Sequence, residues 1–360
     1  MNLSSLGWDE SLAAQFQPFV SDGLVPARVA LEHRHAYGLL SPHGELTAAC
    51  TGKLLHVSTG RGDLPAVGDW VAASVRPGEA HADIHAVLPR RTKFSRRAAG
   101  DTAVEQIVAA NVDTVLLVTA LDQNYNLRRI ERTLLLAWDS GAQPVVVLNK
   151  ADLHAAPAEA QAEVEPIAMG APVVTLSAAR GDGLAGLAPW LMPGRTLALL
   201  GSSGVGKSTL INRLLGAERQ ATGAISETIG KGRHTTTHRE LIVAPAGWLI
   251  IDTPGMRELQ LWDVGEAALD TAFADVIGLA ARCRFTDCSH RAEPGCAIQA
   301  ALDDGTLDFG RWQSFQKLQR EQAYAARKAD PRLERATKSH WKKINRAQRA
   351  TQRLKGGGDD

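Results

Sequence analysis

The stretch Gly201-Ser202-Ser203-Gly204-Val205-Gly206-Lys207-Ser208-Thr209 decides the fold of the middle of this 360-residue chain. It fits the pattern G-x-x-x-x-G-K-[ST], with a predicted strand (Thr196–Leu200) before it and an apolar helical run after it. Glycines in such a loop let backbone N–H groups converge on phosphate oxygens, and the start of the helix adds its positive dipole end. A glycine- and serine-rich turn is the alternative, but the flanking strand and helix favour a phosphate loop. We therefore predict that Lys207 reaches the β- and γ-phosphates of a nucleotide and that Ser208 binds Mg²⁺.

A second motif, Asp252-Thr-Pro-Gly255, follows the predicted strand Trp248–Ile251 and begins 44 residues after Ser208. Its aspartate can hold Mg²⁺, directly or through water, and the Gly255 N–H can meet the γ-phosphate. Strand and helix patterns alternate through this region, which indicates a parallel sheet with helices on both faces. Both motifs fall at the carboxyl ends of strands, where such folds carry their functional loops.

Two more loops at strand ends predict which base the site selects. Asn149-Lys150-Ala151-Asp152 follows a predicted buried strand, and the Asp152 carboxylate can accept two N–H bonds from the guanine edge, whereas adenine presents the wrong pattern. The Asn149 side chain can tie this loop to the nucleotide site. Ser177-Ala178-Ala179 follows the next strand, and a backbone N–H there can bond the guanine oxygen. Neither loop alone would predict guanine binding. The prediction depends on both loops occurring together with the phosphate loop.

The order of these loops is informative. In most GTP-binding domains the phosphate loop comes first and the guanine loop comes late, whereas here 149–152 and 177–179 precede 201–209 and 252–255. This order predicts a circularly permuted GTPase domain, which is tolerated when the original termini lie close together. The Asp252 loop then leads directly into the C-terminal region, so its movement on hydrolysis could pull on that region.

The sequence offers more than one candidate for the hydrolytic group. The polar segment 230–238 contains three threonines, of which Thr236 or Thr237 can close over Mg²⁺. Its two histidines, His234 and His238, suit either catalysis or contact with a phosphate backbone. Small GTPases often carry glutamine just after the Asp-x-x-Gly motif, but this position holds Met256, which cannot orient a water molecule. We therefore predict slow intrinsic hydrolysis, accelerated by a group that a partner or a rearranged switch histidine supplies.

The N-terminal region is predicted to be β-rich. Short apolar segments between residues 25 and 88 are separated by turn signals such as Ser41-Pro-His-Gly44 and Arg76-Pro-Gly78. About five short strands in ~65 residues suit a small barrel, either the five-stranded oligonucleotide-binding (OB) barrel or an SH3-like barrel. Before it, a leader carries Leu12, Phe16 and Phe19 at a spacing that allows docking as a short helix.

Four residues near the C-terminal third have the composition of a zinc site. Three thiols and one imidazole fall within 14 residues, at Cys283, Cys288, His290 and Cys296. A closed set of four such ligands indicates one structural rather than catalytic Zn²⁺. Buried or redox-active cysteines are the alternative, but the cluster has no Cys-x-x-Cys spacing. Cys50 stands apart, and four cysteines are too few for a disulfide framework in a chain this long.

The charge of the chain is unevenly distributed. Its 40 basic and 39 acidic residues give a formal net charge of +1, yet residues 311–360 hold 14 basic and 5 acidic residues, a net of +9, which leaves −8 for the rest. Such runs are usually solvated helix faces, but this one follows a zinc module and favours RNA backbone binding. No apolar run approaches the ~20 residues that span a bilayer and no secretory signal is visible, so we expect no membrane contact and a cytoplasmic location.

The ordered motifs and the zinc spacing together resemble the ribosome small-subunit-dependent GTPase A family (RsgA, also YjeQ or YloQ). The segments 88–92, 109–113 and 126–130 also resemble that family, and the resemblance covers roughly residues 25–330. It implies an OB barrel over residues 1–96 with the leader, a circularly permuted α/β P-loop GTPase domain over 97–262, and a mostly helical zinc domain with a basic tail over 263–360. It further implies binding to the 30S ribosomal subunit and its 16S rRNA late in maturation, and GTP hydrolysis stimulated by that subunit.

We expect a monomer with GTP or GDP and Mg²⁺ as its ligands. Two other functions are compatible with the motifs. One is a GTPase that acts on a different RNA or protein partner. The other is a GTP-dependent RNA-binding switch that does not hydrolyse GTP, which Met256 suggests.

Overall fold

The computed structural model describes residues 1–33, 36–97, 105–123, 125–216, 239–252, 273–291, 293–313, 315–316 and 319–320. The chain divides into two units, Met1–Ala272 and Phe273–Asp360. The first unit begins with helix α1 (Glu10–Val20), which Asp9 caps by accepting a hydrogen bond from the Leu12 N–H. Leu12 and Phe16 are buried and Phe19 packs against the same core, so the predicted docking of the leader is confirmed.

A closed five-stranded barrel follows the leader. Its elements are β1 (Val25–His33), β2 (Ala36–Ser41), β3 (Gly44–Cys50), helix α2 (Gly52–Val57), β4 (Trp70–Val75) and β5 (His81–Val87). The strands pair in the order β1-β2-β3-β5-β4, and β4 returns to β1 to close the barrel. The β3–β5 pair is parallel and the others are antiparallel. This arrangement confirms the OB barrel rather than its SH3-like alternative.

An antiparallel hairpin connects the barrel to the central sheet. It consists of β6 (Lys93–Arg97) and β7 (Glu105–Ala110). The Lys93 ammonium forms an ion pair with Glu105 across the hairpin at 2.9 Å. Part of the basic charge that precedes the central region is therefore balanced within the hairpin itself.

The central sheet has the α/β organisation that the sequence predicts. Its elements are β8 (Thr114–Ala120), α3 (Leu127–Asp139), β9 (Gln143–Asn149), α4 (Pro157–Val164), β10 (Val173–Thr175), β11 (Thr196–Leu200), α5 (Lys207–Leu215), β12 (Arg239–Val243) and β13 (Leu249–Asp252). The strands stand in the order β10-β9-β8-β11-β13-β12. All neighbours are parallel except β12, which is antiparallel to β13. Apolar strands such as β11 are buried throughout, as expected for a parallel sheet covered on both faces.

The barrel and the central sheet share one continuous sheet of eleven strands. Strand β1 pairs with β12, with Leu31 opposite Glu240, so the edge of the central sheet continues into the barrel. Arg239 at the start of β12 also forms an ion pair with Glu32 of β1 at 3.0 Å. The two parts of the first unit are therefore connected by backbone hydrogen bonds and by charge.

The described part of the second unit is mostly helical, as predicted. It contains α6 (Ala274–Ala280), α7 (Ala297–Asp303) and a helical segment at 309–313. An aromatic cluster forms its small core, in which the Phe273 and Phe315 ring centroids lie 5.3 Å apart and Trp312 stacks on Phe315. Among the helices of the described residues, none is long and apolar enough to cross a membrane.

Candidate nucleotide site and metal centre

The phosphate loop connects β11 to α5, as the motif predicts. Lys207 is only 7% exposed, and its ammonium donates hydrogen bonds to the carbonyl oxygens of Gly201 and Ser202, each at 2.6 Å. Gly206 has a φ of +96°, and a Cβ atom there would lie 2.3 Å from Nδ2 of Asn149. The loop therefore requires glycine at this position both for its backbone conformation and for the close approach of Asn149.

Asn149 joins three of the predicted loops. It is 2% exposed at the end of β9. Its Nδ2 donates to the Val205 carbonyl of the phosphate loop at 2.8 Å, and its Oδ1 accepts the Ala178 N–H at 2.9 Å. The guanine loop, the Ser-Ala loop and the phosphate loop are thus brought together by one buried side chain, as predicted for Asn149.

The Asp152 carboxylate is suited to accept hydrogen bonds from N–H groups. Its Oδ1 is buried, and among the described residues no donor bonds it. Its Oδ2 lies 3.6 Å from Nε of Arg180. A hydrogen bond from the Ser177 hydroxyl holds the pKa of the Asp152 carboxyl below its ordinary value, so the group is an acceptor at neutral pH. An ionised, partly unsatisfied carboxylate fits the two N–H donors on the guanine edge.

Lys150 is held by a residue that the sequence motifs do not identify. The backbone of Lys150 lies in the left-handed region with a φ of +62°. Its ammonium forms an ion pair with Asp122 at 2.8 Å. Asp122 follows the end of β8. Its position as a polar residue at the carboxyl end of a parallel strand is the sequence signal that could have identified it.

Two candidate Mg²⁺ ligands lie at the same edge of the sheet. Ser208 is in the first turn of α5, after the phosphate loop, and Asp252 ends β13. Strands β11 and β13 are parallel neighbours, so their carboxyl ends lie side by side. A hydroxyl and a carboxylate are the oxygen ligands that Mg²⁺ prefers. The remaining predicted groups lie outside the described residues, namely His234, Thr236, Thr237, His238 and Gly255.

The four predicted zinc ligands converge in the second unit. Their donor atoms all lie within 4.8 Å of one another, in the set Cys283, Cys288, His290 and Cys296. Cys283 Sγ lies 4.0 Å from Cys296 Sγ, and both sulfurs lie 3.5 Å from Nδ1 of His290. A tetrahedral zinc with sulfur and nitrogen ligands has edges of about 3.6–3.8 Å. The donor set and its spacing therefore fit one Zn²⁺.

The surroundings of the cluster shift the pKa values of two of its thiols in opposite directions, because desolvation raises the pKa of Cys288 to about 11. Although desolvation opposes the change, backbone N–H groups of Ala297 and Ile298 at the start of α7 lower the pKa of the Cys283 thiol. Cys296 caps the same helix. The His290 ring meets the edge of Trp312 at a centroid distance of 5.5 Å, which connects the cluster to the aromatic core.

Comparisons with known proteins agree with this geometry. The sequence model of the RsgA GTPase family matches residues 87–262. The chain is 64% identical over 364 residues to the small ribosomal subunit biogenesis GTPase RsgA of Opitutus terrae, covering 99% of each chain. It is 47% identical over 365 residues to the protein of that name in Syntrophotalea carbinolica, covering 99% of this chain and 100% of the other.

Solved structures resemble the fold as well. The crystal structure of YjeQ from Thermotoga maritima has a TM-score of 0.61 and 28% sequence identity, covering 83% of this chain and 98% of that chain. The structure of YloQ, described as a circularly permuted GTPase, has a TM-score of 0.57 and 24% identity, covering 83% of this chain and 95% of that chain. The permuted architecture is therefore shared with solved proteins.

Proposed function

Because this chain belongs to the RsgA family of circularly permuted GTPases and hydrolyses GTP, we propose that it does so on the 30S ribosomal subunit, whose late maturation it assists or checks. The printed names of its relatives in Opitutus terrae and Syntrophotalea carbinolica support this context. The OB barrel and the net charge of +9 in residues 311–360 support contact with 16S rRNA. The division into 1–96, 97–262 and 263–360 belongs to this proposal, and the family match over 87–262 supports it.

The observation that carries the nucleotide part of the proposal is the position of Asn149. It hydrogen-bonds both the phosphate loop and the Ser-Ala loop, so one nucleotide can contact all three loops at once. In this site Asp152 accepts N–H bonds from the guanine edge, and a backbone N–H of the loop 177–179 bonds the guanine oxygen. Lys207 and the N–H groups of residues 201–209 bind the phosphates.

Ser208 and Asp252 hold Mg²⁺ in this proposal, together with Thr236 or Thr237 from the switch segment. A Mg²⁺ ion held there would neutralise charge that develops on the phosphates during transfer. Met256 leaves the chain without the usual glutamine to orient the attacking water. We infer that the intrinsic rate is low and that the missing group comes from His234, His238 or the ribosomal subunit.

The second unit serves as a zinc-stabilised module. One Zn²⁺ bound by Cys283, Cys288, His290 and Cys296 closes the segment that precedes α7. A zinc ion held by four protein ligands would have no open coordination position, so its contribution would be to folding. The basic segment 311–360 overlaps and extends beyond this module and supplies positive charge for contact with RNA.

Capture of ribosomal subunits tests the proposed partner. The tagged full-length chain is incubated with separated 30S and 50S subunits and with GDP or a non-hydrolysable GTP analogue. We expect 30S capture that increases with the analogue, because the switch segment and the metal recognise the γ-phosphate. The Lys207→Ala chain is the control and should lose the effect of the analogue. Equal capture of 50S, or capture of neither subunit, contradicts the proposal.

A further inference from the structure

The Ser177–Ala179 loop is a tight turn that is also held from outside. The Ser177 carbonyl accepts the Gly181 N–H, and the Ser177 hydroxyl accepts the Arg180 N–H. Outside the turn, Oδ1 of Asn149 accepts the Ala178 N–H. One of the N–H groups of this loop is thus already occupied by the guanine loop.

Arg213 of α5 holds the same loop through its carbonyl groups. Its Nε donates to the Ala178 carbonyl at 3.2 Å, and its Nη2 donates to the Ala179 carbonyl. Its Cζ lies 3.9 Å from the position that a Cβ atom on Gly181 would occupy, so the guanidinium follows the turn closely. Hydrogen bonds from a charged donor are stronger than those between neutral groups.

The contacts of Arg213 also set the direction of a backbone N–H group in this loop, because of the geometry of the peptide group. The C=O and N–H of a trans peptide point in opposite directions. A guanidinium that holds the Ala178 carbonyl toward α5 therefore turns the N–H of the same peptide, which belongs to Ala179, away from α5. Because the Ala178 N–H is bonded to Asn149, the Ala179 N–H is the donor whose direction Arg213 sets.

We propose that Arg213 is a positioning residue for guanine recognition, which orients the Ala179 N–H toward the guanine oxygen and connects the phosphate-loop helix to the base-binding loop. This inference rests on the proposed guanine site. It makes the retention of the base depend on α5, the helix that begins with the phosphate-binding Lys207. Loss of Arg213 should therefore weaken one specific contact with the base and speed nucleotide release.

Binding of GTP, ITP and 6-thio-GTP distinguishes the two proposed contacts to the base. ITP lacks the 2-amino group that Asp152 is proposed to bind, whereas 6-thio-GTP differs from GTP only by a sulfur in place of the guanine oxygen. Affinities are measured by competition for the wild-type chain and for Arg213→Ala, Arg213→Lys and Asp152→Asn. Asn212→Ala is the matched control, because Asn212 is the exposed neighbour of Arg213 on α5. Dissociation of fluorescent GDP is measured on the same proteins.

We expect Arg213→Ala to speed GDP dissociation by roughly tenfold, the effect of losing hydrogen bonds from a charged donor. It should reduce the preference for GTP over 6-thio-GTP and leave the preference for GTP over ITP unchanged. Arg213→Lys, with one compact donor group, should lie between wild type and Arg213→Ala. Asn212→Ala should match the wild type.

Three outcomes overturn the inference, and they differ in whether the proposed guanine site stands. If Asp152→Asn changes the GTP/ITP ratio but Arg213→Ala leaves the GTP/6-thio-GTP ratio as in wild type, the guanine site stands and the role of Arg213 is wrong. Equal weakening of all three nucleotides by Arg213→Ala has the same meaning, since it indicates a general structural effect. If Asp152→Asn leaves the GTP/ITP ratio unchanged, the guanine site itself is wrong and the inference fails with it.

Discussion

Arg28 is 1% exposed and makes its hydrogen bonds to neutral groups from separate segments of the first unit. It donates to the carbonyl oxygens of Leu6, Gly68 and Asn111 and to the Thr196 hydroxyl. Burial lowers its pKa to about 10, so the side chain remains charged at neutral pH. The leader, the barrel and the strand that precedes the phosphate loop are thereby joined at one guanidinium.

Replacing Arg28 by methionine should strongly destabilise the first unit. The substitution leaves several buried acceptors without a donor, at about 1–3 kcal/mol each, so we expect the free energy of unfolding in urea to fall by about 3 kcal/mol or more. Arg195→Met is the control, because Arg195 forms an exposed ion pair with Asp113. Pairs of that kind contribute about 1 kcal/mol or less. Similar losses in the two variants would contradict the role assigned to Arg28.

Sequence motifs predicted the residues whose chemistry depends on local spacing. A phosphate loop needs glycines and lysine at fixed positions, so Gly206 and Lys207 can be recognised without a structure. Arg213 and Arg28 could not, because their partners are distant in the chain: Arg213 bonds Ala178 across 35 residues and Arg28 bonds Thr196 across 168. No local pattern records such contacts.

At the scale of elements, the strands that the sequence conceals are those in which charged residues interrupt the apolar pattern. The hairpin strand β6 has the sequence Lys-Phe-Ser-Arg-Arg, in which basic residues obscure the apolar alternation. Strand β12 has only five residues and begins with Arg-Glu, although it connects the sheet to the barrel. By contrast, β8, β9 and β11 are apolar runs between turn signals and follow directly from the sequence.

The zinc cluster gives a prediction at this scale. Cys283→Ala should lose the bound zinc and destabilise the second unit, because a tetrahedral site with three protein ligands is no longer closed. Cys50→Ala is the matched control, since Cys50 lies in the barrel, and it should retain one zinc per chain. Zinc content is measured by elemental analysis of the purified proteins. One zinc per chain in Cys283→Ala would contradict the assignment.

At the scale of the molecule, the two proposed switch loops lead out of the nucleotide site. The segment 230–238 leads directly into β12, which pairs with β1 of the barrel. Asp252 ends β13, and the chain after it continues toward the second unit. Each loop that we propose to sense the γ-phosphate is therefore followed in the sequence by an element outside the nucleotide site. The charge of the chain is also unevenly divided. Its formal net charge is only +1, although residues 311–360 alone carry +9.

We propose that the small ribosomal subunit stimulates GTP hydrolysis by this chain, and GTP turnover tests this stimulation most directly. The rate of phosphate release at saturating GTP is measured with the full-length protein alone, with 30S subunits and with 50S subunits, and the Lys207→Ala chain controls for contaminating GTPases. We predict slow turnover alone and with 50S, and a rise on the order of 10³-fold with 30S, the size of effect expected from a supplied catalytic group. An unstimulated rate equal to the rate with 30S, or equal stimulation by 50S, would contradict the account.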